Sequence, residues 1–347
     1  MTTKTRYFVI VSLLVLGVGL GTGLVAYYVG FPAGAQGRRG GPADLAFVPR
    51  DATVIAFANV QEIMSSELRQ KMRRAIPMPE NGQKELENQT GINIETDIDS
   101  VVACMHPDAK STNSPGAGMV LARGRFAEVK IEALMREHGA HVEDYNGKRL
   151  IVADAKSLPI GDIDIHPNTA SFALSFIEPG LVAIGSTTLI KSAIDLHKAG
   201  NNPQTGLESV TGNDDLMNLV RSLDDANAWA VGRFDALSTQ AHLPANVLSQ
   251  IPAISWFAVS GHVNGGIRGT LRAEARDEAS ANNLRDVVRG FLALAKLSSG
   301  SKPELQAMVQ SLELGGTGKT VSLSFAVPAE LFDVIGAMTG KNKPAAH

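Results

Sequence analysis

Read for its apolar positions, the chain switches repeatedly between a period of two and a period near 3.6 residues, and each switch marks an element. ATVIAFANV (52–60) is an apolar run of strand length, and Asn59 with Glu62 has the form of a capping box opening a helix. Met64, Leu68, Met72 and Ile76 then recur at helical spacing until Pro77 ends the run, while Arg69, Lys71, Arg73 and Arg74 form a solvated outer face. DSVVACM (99–105) and GMVLARG (118–124) read as strands flanking the polar stretch PDAKSTNSPGA (107–117). A helix follows with Ile131, Leu134, Met135 and His138 on one stripe and Gly139 at its end. KRLIVAD (148–154), ASFALSFI (170–177) and LVAIG (181–185) are three further strands. Ser186 opens a helix carrying Leu189, Ile190, Ala193, Ile194 and His197, which Gly200 closes.

From about Asp214 the order begins again. ANAWAVGRF (226–234) is a strand, AISWFAVSGHV (253–263) and GIRGTLRAEAR (266–276) form a hairpin, and Leu284, Val287, Val288, Phe291 and Ala295 mark a helix. The pattern predicts a duplicated α+β unit with mainly antiparallel sheets and helices packed on one face, the first copy over 44–205 and the second over 206–340, with 341–347 as a disordered tail.

The longest apolar run precedes all of this. YFVIVSLLVLGVGLGTGLVAYYVGF (7–31) holds 25 residues without a charge, and about 20 residues suffice to cross a hydrocarbon core. Tyr7, Tyr27 and Tyr28 lie near its ends, where amphipathic rings favour the headgroup level. Gly17 and Gly21 have the G-x-x-x-G spacing that lets two such helices associate, as do Gly19 and Gly23. The expectation is a single-pass inner-membrane anchor with residues 1–6 cytoplasmic, a Gly/Pro-rich linker over 32–43, and the bulk of the chain extracytoplasmic. Basic residues do not fix the orientation, with Lys4 and Arg6 before the span and Arg38, Arg39 and Arg50 after it; the layout of an export signal favours the N-terminus inside. The alternative is secretion after cleavage near Ala35, since Ala33-Gly34-Ala35 offers a small-x-small site.

Composition narrows the picture. The chain of 347 residues is 44% hydrophobic and 19% charged, which suits folded domains, and a formal net charge of -3 offers no broad attraction for nucleic acid. The single cysteine, Cys104, cannot form an intrachain disulfide, and its apolar neighbours point to a buried, inert thiol.

SLELGGTGKTVSLSF (311–325) imitates a phosphate-binding loop. The motif needs a glycine five residues before Gly318, where this chain has Glu313, and a helix directly after the lysine. Instead Val321, Leu323, Phe325 and Val327 alternate with polar residues, the period of a half-buried strand. The stretch predicts a β-hairpin whose Gly315, Gly316 and Gly318 supply positive φ, with the next helix starting at Pro328 and packing through Leu331, Val334, Ile335 and Met338. No nucleotide is expected.

The remaining chemistry is thin. His138 and His141 in EHGAHVED (137–144) could join carboxylates around zinc, but Gly139 interrupts the helix between them, and a histidine at a helix C-terminus is favourable without a metal. His106 in CMHPD (104–108) is a further metal candidate, alongside Cys104 and Asp108. The aspartate pairs Asp97/Asp99 and Asp162/Asp164 lack the glycine and distal glutamate of a calcium loop. Ser299 and Lys302 have S-x-x-K spacing, yet Pro303 follows at once. No catalytic residue and no cofactor emerge.

MTTKTRYFVI with its glycine-rich span, LAFVPRDATVIAFANVQEIMSSELRQKM (45–72), TGINIETDIDSVVACM (90–105) and the closing GKTVSLSFAVPAELFDVI (318–335) resemble a group of uncharacterised, membrane-anchored bacterial proteins. The resemblance implies an envelope protein with a duplicated α+β ectodomain and carries no catalytic residue. The function expected is non-enzymatic binding or scaffolding in the cell envelope, with the membrane and other envelope proteins as partners. The alternatives are a metal-dependent envelope hydrolase and a carrier or sensor of an apolar ligand.

Overall fold

The computed structural model describes residues 42–75, 87–88, 90–106, 117–153, 172–200, 206–223, 226–234, 253–298 and 303–328. The apolar run 7–31, the candidate cleavage site, Asp162, Asp164, Ser299, Lys302 and the predicted helix after Pro328 lie outside those residues. No helix among the described residues is long and apolar enough to cross a membrane. They mix helices with mostly antiparallel strands, an α+β organisation.

Two compact units account for the described residues, one from 32–61 and 80–222, the other from 62–79 and 223–347. Compactness thus groups 62–79 with the C-terminal part of the chain rather than with the segment 44–205 in which sequence order places it.

In the first unit the strands are β1 (Val54–Asn59), β2 (Ile98–His106), β3 (Ala117–Gly124), β4 (His141–Tyr145), β5 (Lys148–Ala153), β6 (Phe172–Glu178) and β7 (Leu181–Ser186). Their order is β1-β2-β3-β7-β6-β5-β4, every neighbouring pair antiparallel. All six residues of β1 are buried, the apolar run Val54–Ala58 and the polar Asn59 that ends it.

The chain leaves β1 directly into α1 (Val60–Ser65) and α2 (Glu67–Ala75). Spacing predicted one continuous helix here, and the structure breaks it at Ser66. The Ser66 hydroxyl donates to Ile63 O at 2.5 Å and accepts from the Arg69 N–H at 3.2 Å, so it ends one helix and caps the next. The one-turn helix α3 (Ile94–Asp97) is closed reciprocally: Asn93 Oδ1 accepts from Glu95 N at 2.9 Å, and Asp97 Oδ2 accepts from Asn93 N at 2.8 Å. Asp97 is therefore a capping residue, and Asp99 belongs to β2.

Helices α4 (Glu128–Glu137) and α5 (Thr187–Ala199) cover the sheet. Leu189, Ile190, Ala193, Ile194 and Leu196 of α5 are buried, each large side chain contributing roughly 1.5–3 kcal/mol by its removal from water. Tyr145 reaches Asp195 of α5, whereas Arg149 reaches Glu132 of α4. Tyr145 pairs with Lys148, and Arg149 is the next residue, so its side chain takes the opposite face. The helices therefore lie on both faces of this unit's sheet, not on one. The reason is in β5, where consecutive Leu150, Ile151, Val152 and Ala153 are all buried and need cover on each side. Helix α6 (Asp214–Arg221), which the hydrophobic pattern did not single out, is capped by Asn213 Oδ1 accepting from Leu216 N at 3.2 Å.

The second unit holds β8 (Ala228–Arg233), β9 (Ile254–Val263), β10 (Gly266–Ala275), β11 (Glu313–Gly315) and β12 (Thr320–Pro328). They are ordered β8-β9-β10-β12-β11 and antiparallel throughout. Helices α7 (Glu278–Ser298) and α8 (Pro303–Gln310) close the face bearing Phe325 and Val327, with Met308 and Val309 completing that cluster. Ala275, Ala281 and Val321 form a second buried group.

The imitation phosphate loop is the β11–β12 hairpin, with Gly315 paired to Ser322. Gly316 and Gly318 take φ of +89° and +56°. Gly315 does not share that geometry: it is an extended strand residue, and a Cβ there would stand 3.0 Å from Ser322 Oγ. Pro328, expected to open a helix, is the last residue of β12.

Candidate binding site

The three metal-candidate histidines are held by separate partners. His106 on β2 places Nε2 2.5 Å from Asp51 Oδ2. His138 caps the end of α4 and donates from Nδ1 to Leu134 O at 2.9 Å, and His141 opens β4 with Nε2 3.2 Å from Glu143 Oε1. Among the described residues, no group of three or more His, Cys, Asp or Glu is arranged to hold a metal ion. Cys104 is buried on β2, and loss of hydration pushes its thiol up to about 12, which disfavours the reactive thiolate.

An open cleft of about 480 Å³ lies beside β4, lined by Arg136, Ala140, His141, Val142, Glu143, Asp144 and Arg149. Its geometry follows from a tight hairpin. Tyr145-Asn146-Gly147-Lys148 turns with φ of 55° at Asn146 and 82° at Gly147, the two successive left-handed residues of a type I′ turn. The spacing of His138 and His141 carries no sign of β4. The Asn-Gly pair was the signal that could have found it.

Side chains lock this hairpin in place. On one face Tyr145 Oη donates to Asp195 Oδ2 at 2.9 Å, Asn146 Nδ2 donates to Asp195 Oδ1 at 2.6 Å, and the Lys191 ammonium sits 5.1 Å from the Tyr145 ring centroid. The bond to Asp195 raises the Tyr145 pKa above its usual value. On the other face Glu132, only 19% exposed, receives Arg149 Nε at 2.9 Å and lies 3.7 Å from Arg136 Nη1. Both arginine side chains remain more than 60% exposed. The cleft thus presents two fixed arginines beside a strand at the end of the sheet order.

A second polar cluster, invisible to motif reading, joins residues far apart in sequence. Asp44, buried in the turn Ala43–Phe47, accepts from Arg123 Nε at 3.2 Å and also from Nη2, which reaches Glu178 Oε1 at 2.8 Å. Donating to Asp44, and less strongly to Glu178, holds the Arg123 guanidinium more firmly protonated than usual. His197 Nε2 lies 3.8 Å from Glu178, and its ring is 5.7 Å from that of Phe47. These groups satisfy one another and bind the turn to the sheet.

In the second unit, α7 carries an apolar row outside the core. Val287, Phe291, Leu294 and Leu297 recur at helical spacing and range from 40% to 83% exposed.

No family model, curated protein or solved structure matches the chain.

Proposed function

We propose that this protein is a membrane-anchored, extracytoplasmic binding or scaffolding module of the bacterial inner membrane, acting without catalysis. The single observation that carries the reading is the uncharged stretch 7–31, whose 25 residues favour lipid over water and which is followed by a short Gly- and Pro-rich linker. The geometry of the described units supports the binding part. Their conspicuous charged groups are engaged with one another, as in Asp44–Arg123–Glu178 and Asp51–His106, whereas binding-competent surface remains on α7 and along β4.

We also propose that the two units descend from one. In the first, β1 is followed by the hairpin β2–β3, by α4, and later by β7, which returns to pair with β3 and carries β6 on its other side. In the second, β8 is followed by β9–β10, by α7, and then by β12, which returns to pair with β10 and carries β11 on its other side. This shared order supports duplication, with β4–β5 as an addition to the first copy.

The test is fractionation of the full chain tagged at either end. The expected result is retention in the membrane pellet after alkaline carbonate extraction, with the C-terminal tag digested by protease added to spheroplasts and the N-terminal tag protected. Recovery in the soluble cytoplasmic fraction with residues 1–40 intact would overturn the reading.

A further inference from the structure

We infer that the apolar row on α7 is the seat of the chain's own C-terminal segment, residues 329–340, folded back from the end of β12 as a helix antiparallel to α7. An outside partner of α7 then has to displace that segment. The inference rests on the binding-module reading only for the use made of α7; the contact itself is tested separately.

The path of the chain brings the two together. Ala281 packs with Val321 near the start of β12, and Ala295 packs against the cluster holding Val327 near its end. Helix α7 therefore runs in the direction of β12, and Pro328 lies at the end of α7 that carries Leu294 and Leu297. A segment turning back from Pro328 passes along α7 from Leu297 towards Val287. The strand face beneath is taken, since Met308, Val309 and Ala295 already pack on Phe325 and Val327. Among the described residues of the second unit, the large apolar side chains that stay exposed all belong to this row.

The sequence supplies a matching stripe. Ser186 ends β7, and the third, fourth, seventh and tenth residues after it, Leu189, Ile190, Ala193 and Leu196, are buried on α5. Pro328 ends β12, and the same four places after it hold Leu331, Phe332, Ile335 and Met338. That spacing puts four apolar residues on one helical face. At 1.5 Å per residue, a helix over 329–340 spans about 18 Å, against about 15 Å from Val287 to Leu297.

Gly290 leaves a gap in the row. It lies one turn from Val287 and one from Leu294, and a Cβ built there meets nothing among the described residues. Glycine inside a helix costs about 1 kcal/mol against alanine. Here it opens a space between exposed side chains that a large residue of a crossing helix fills.

Size selects an occupant tethered to the chain. A row of four side chains is small beside the ~800 Å² per partner that stable association of separate chains buries. A segment joined at Pro328 needs less, because its effective concentration is on the order of millimolar.

The test uses the full chain, in lipid nanodiscs or in buffer according to its solubility, with cysteine pairs oxidised at high dilution. Cys104 is buried and stays silent. Leu297→Cys with Leu331→Cys, and Val287→Cys with Met338→Cys, are expected to bridge within one chain. They should do so about tenfold or more faster than the crossed pairs, Leu297→Cys with Met338→Cys and Val287→Cys with Leu331→Cys. Unchanged circular dichroism verifies that each cysteine variant folds. Leu331→Asp with Ile335→Asp is expected to raise binding of an apolar dye several-fold, and adding Phe291→Asp to remove most of that rise.

Equal rates for matched and crossed pairs, no bridging at all, or dye binding unmoved by the aspartates would each overturn the inference. So would bridges between chains in place of bridges within one, since the row would then serve a second copy. Because the measurements run in either preparation, their failure leaves the membrane anchor untouched, and fractionation alone decides that reading.

Discussion

Phe325 on β12 lies across Gly269 on β10, its cross-strand partner: a Cβ built on Gly269 would stand 2.7 Å from Phe325 Cζ and 2.6 Å from Ser260 O. The glycine makes room for the ring that closes the Met308–Val309–Val327 cluster. Gly269→Ala is expected to destabilise the protein by about 1–3 kcal/mol through overpacking, and Phe325→Ala by about 3–5 kcal/mol through the cavity it leaves. Combining Gly269→Ala with Phe325→Leu should restore only part of the loss, because the Ser260 carbonyl is backbone and cannot swing aside. Urea midpoints of the three variants check this, and full restoration would show that the ring was the sole obstacle.

Alkaline pH should loosen the edge hairpin. The hydrogen bond to Asp195 raises the Tyr145 pKa above the ordinary 10.0, so folding favours the protonated phenol. That stabilisation is fully present below pH 10 and is lost as pH rises through the folded-state value. Tyr145→Phe is expected to lower stability at pH 8 and to flatten its decline between pH 9 and 11. An unchanged slope in the variant would mean that other groups govern the alkaline limb.

The Asp44–Arg123 pair separates the cost of losing a contact from that of stranding a charge. Arg123→Ala leaves the buried Asp44 carboxylate without its guanidinium, and a loss of about 3–5 kcal/mol is expected. Asp44→Ala leaves Arg123, one-third exposed and still bonded to Glu178, so water and Glu178 reduce the expected loss to about 1–3 kcal/mol. A double-mutant cycle measures the coupling. Equal single-mutant effects would show that Asp44 is solvated once Arg123 is gone.

Local signals carried much of the fold and little of the candidate site. Alternation from Val321 to Val327 and the glycines before it were enough to read the β11–β12 hairpin and to discount the phosphate loop. Gly315 was misassigned because composition does not reveal which glycine of a cluster occupies the strand. The break at Ser66 was hidden because Leu68 keeps the apolar spacing on both sides of it. Cover on both faces of β5 was legible in principle from four successive buried apolar residues. The grouping of 62–79 with 223–347 was not legible, nor was the bond between Arg123 and Asp44, 79 residues apart. Such relations depend on tertiary contacts, which no local period encodes. The cleft likewise arises where α4, β4 and β5 meet, with Arg136 and Arg149 brought together by Glu132.

Cys104 offers a direct measure of how tightly the first unit holds together. It is the only cysteine of the chain, so any thiol label reports one position. Burial moves the thiol from 9.0 to about 12 in the folded state, so at pH 8 the thiolate fraction is about 10⁻⁴ in the folded protein against about a tenth in the unfolded chain. The side chain is also out of contact with water, between β1 and β3 in the strand order. Iodoacetamide should therefore reach it only through opening of the sheet, and the labelling rate should rise with urea in step with the loss of circular dichroism. Folding stability contributed by the protonated thiol is present below about pH 9 and declines as pH rises toward 12. Stoichiometric labelling within seconds in native buffer, with circular dichroism unchanged, would mean that β2 opens locally beside Cys104 and that the sheet is not one cooperative body there.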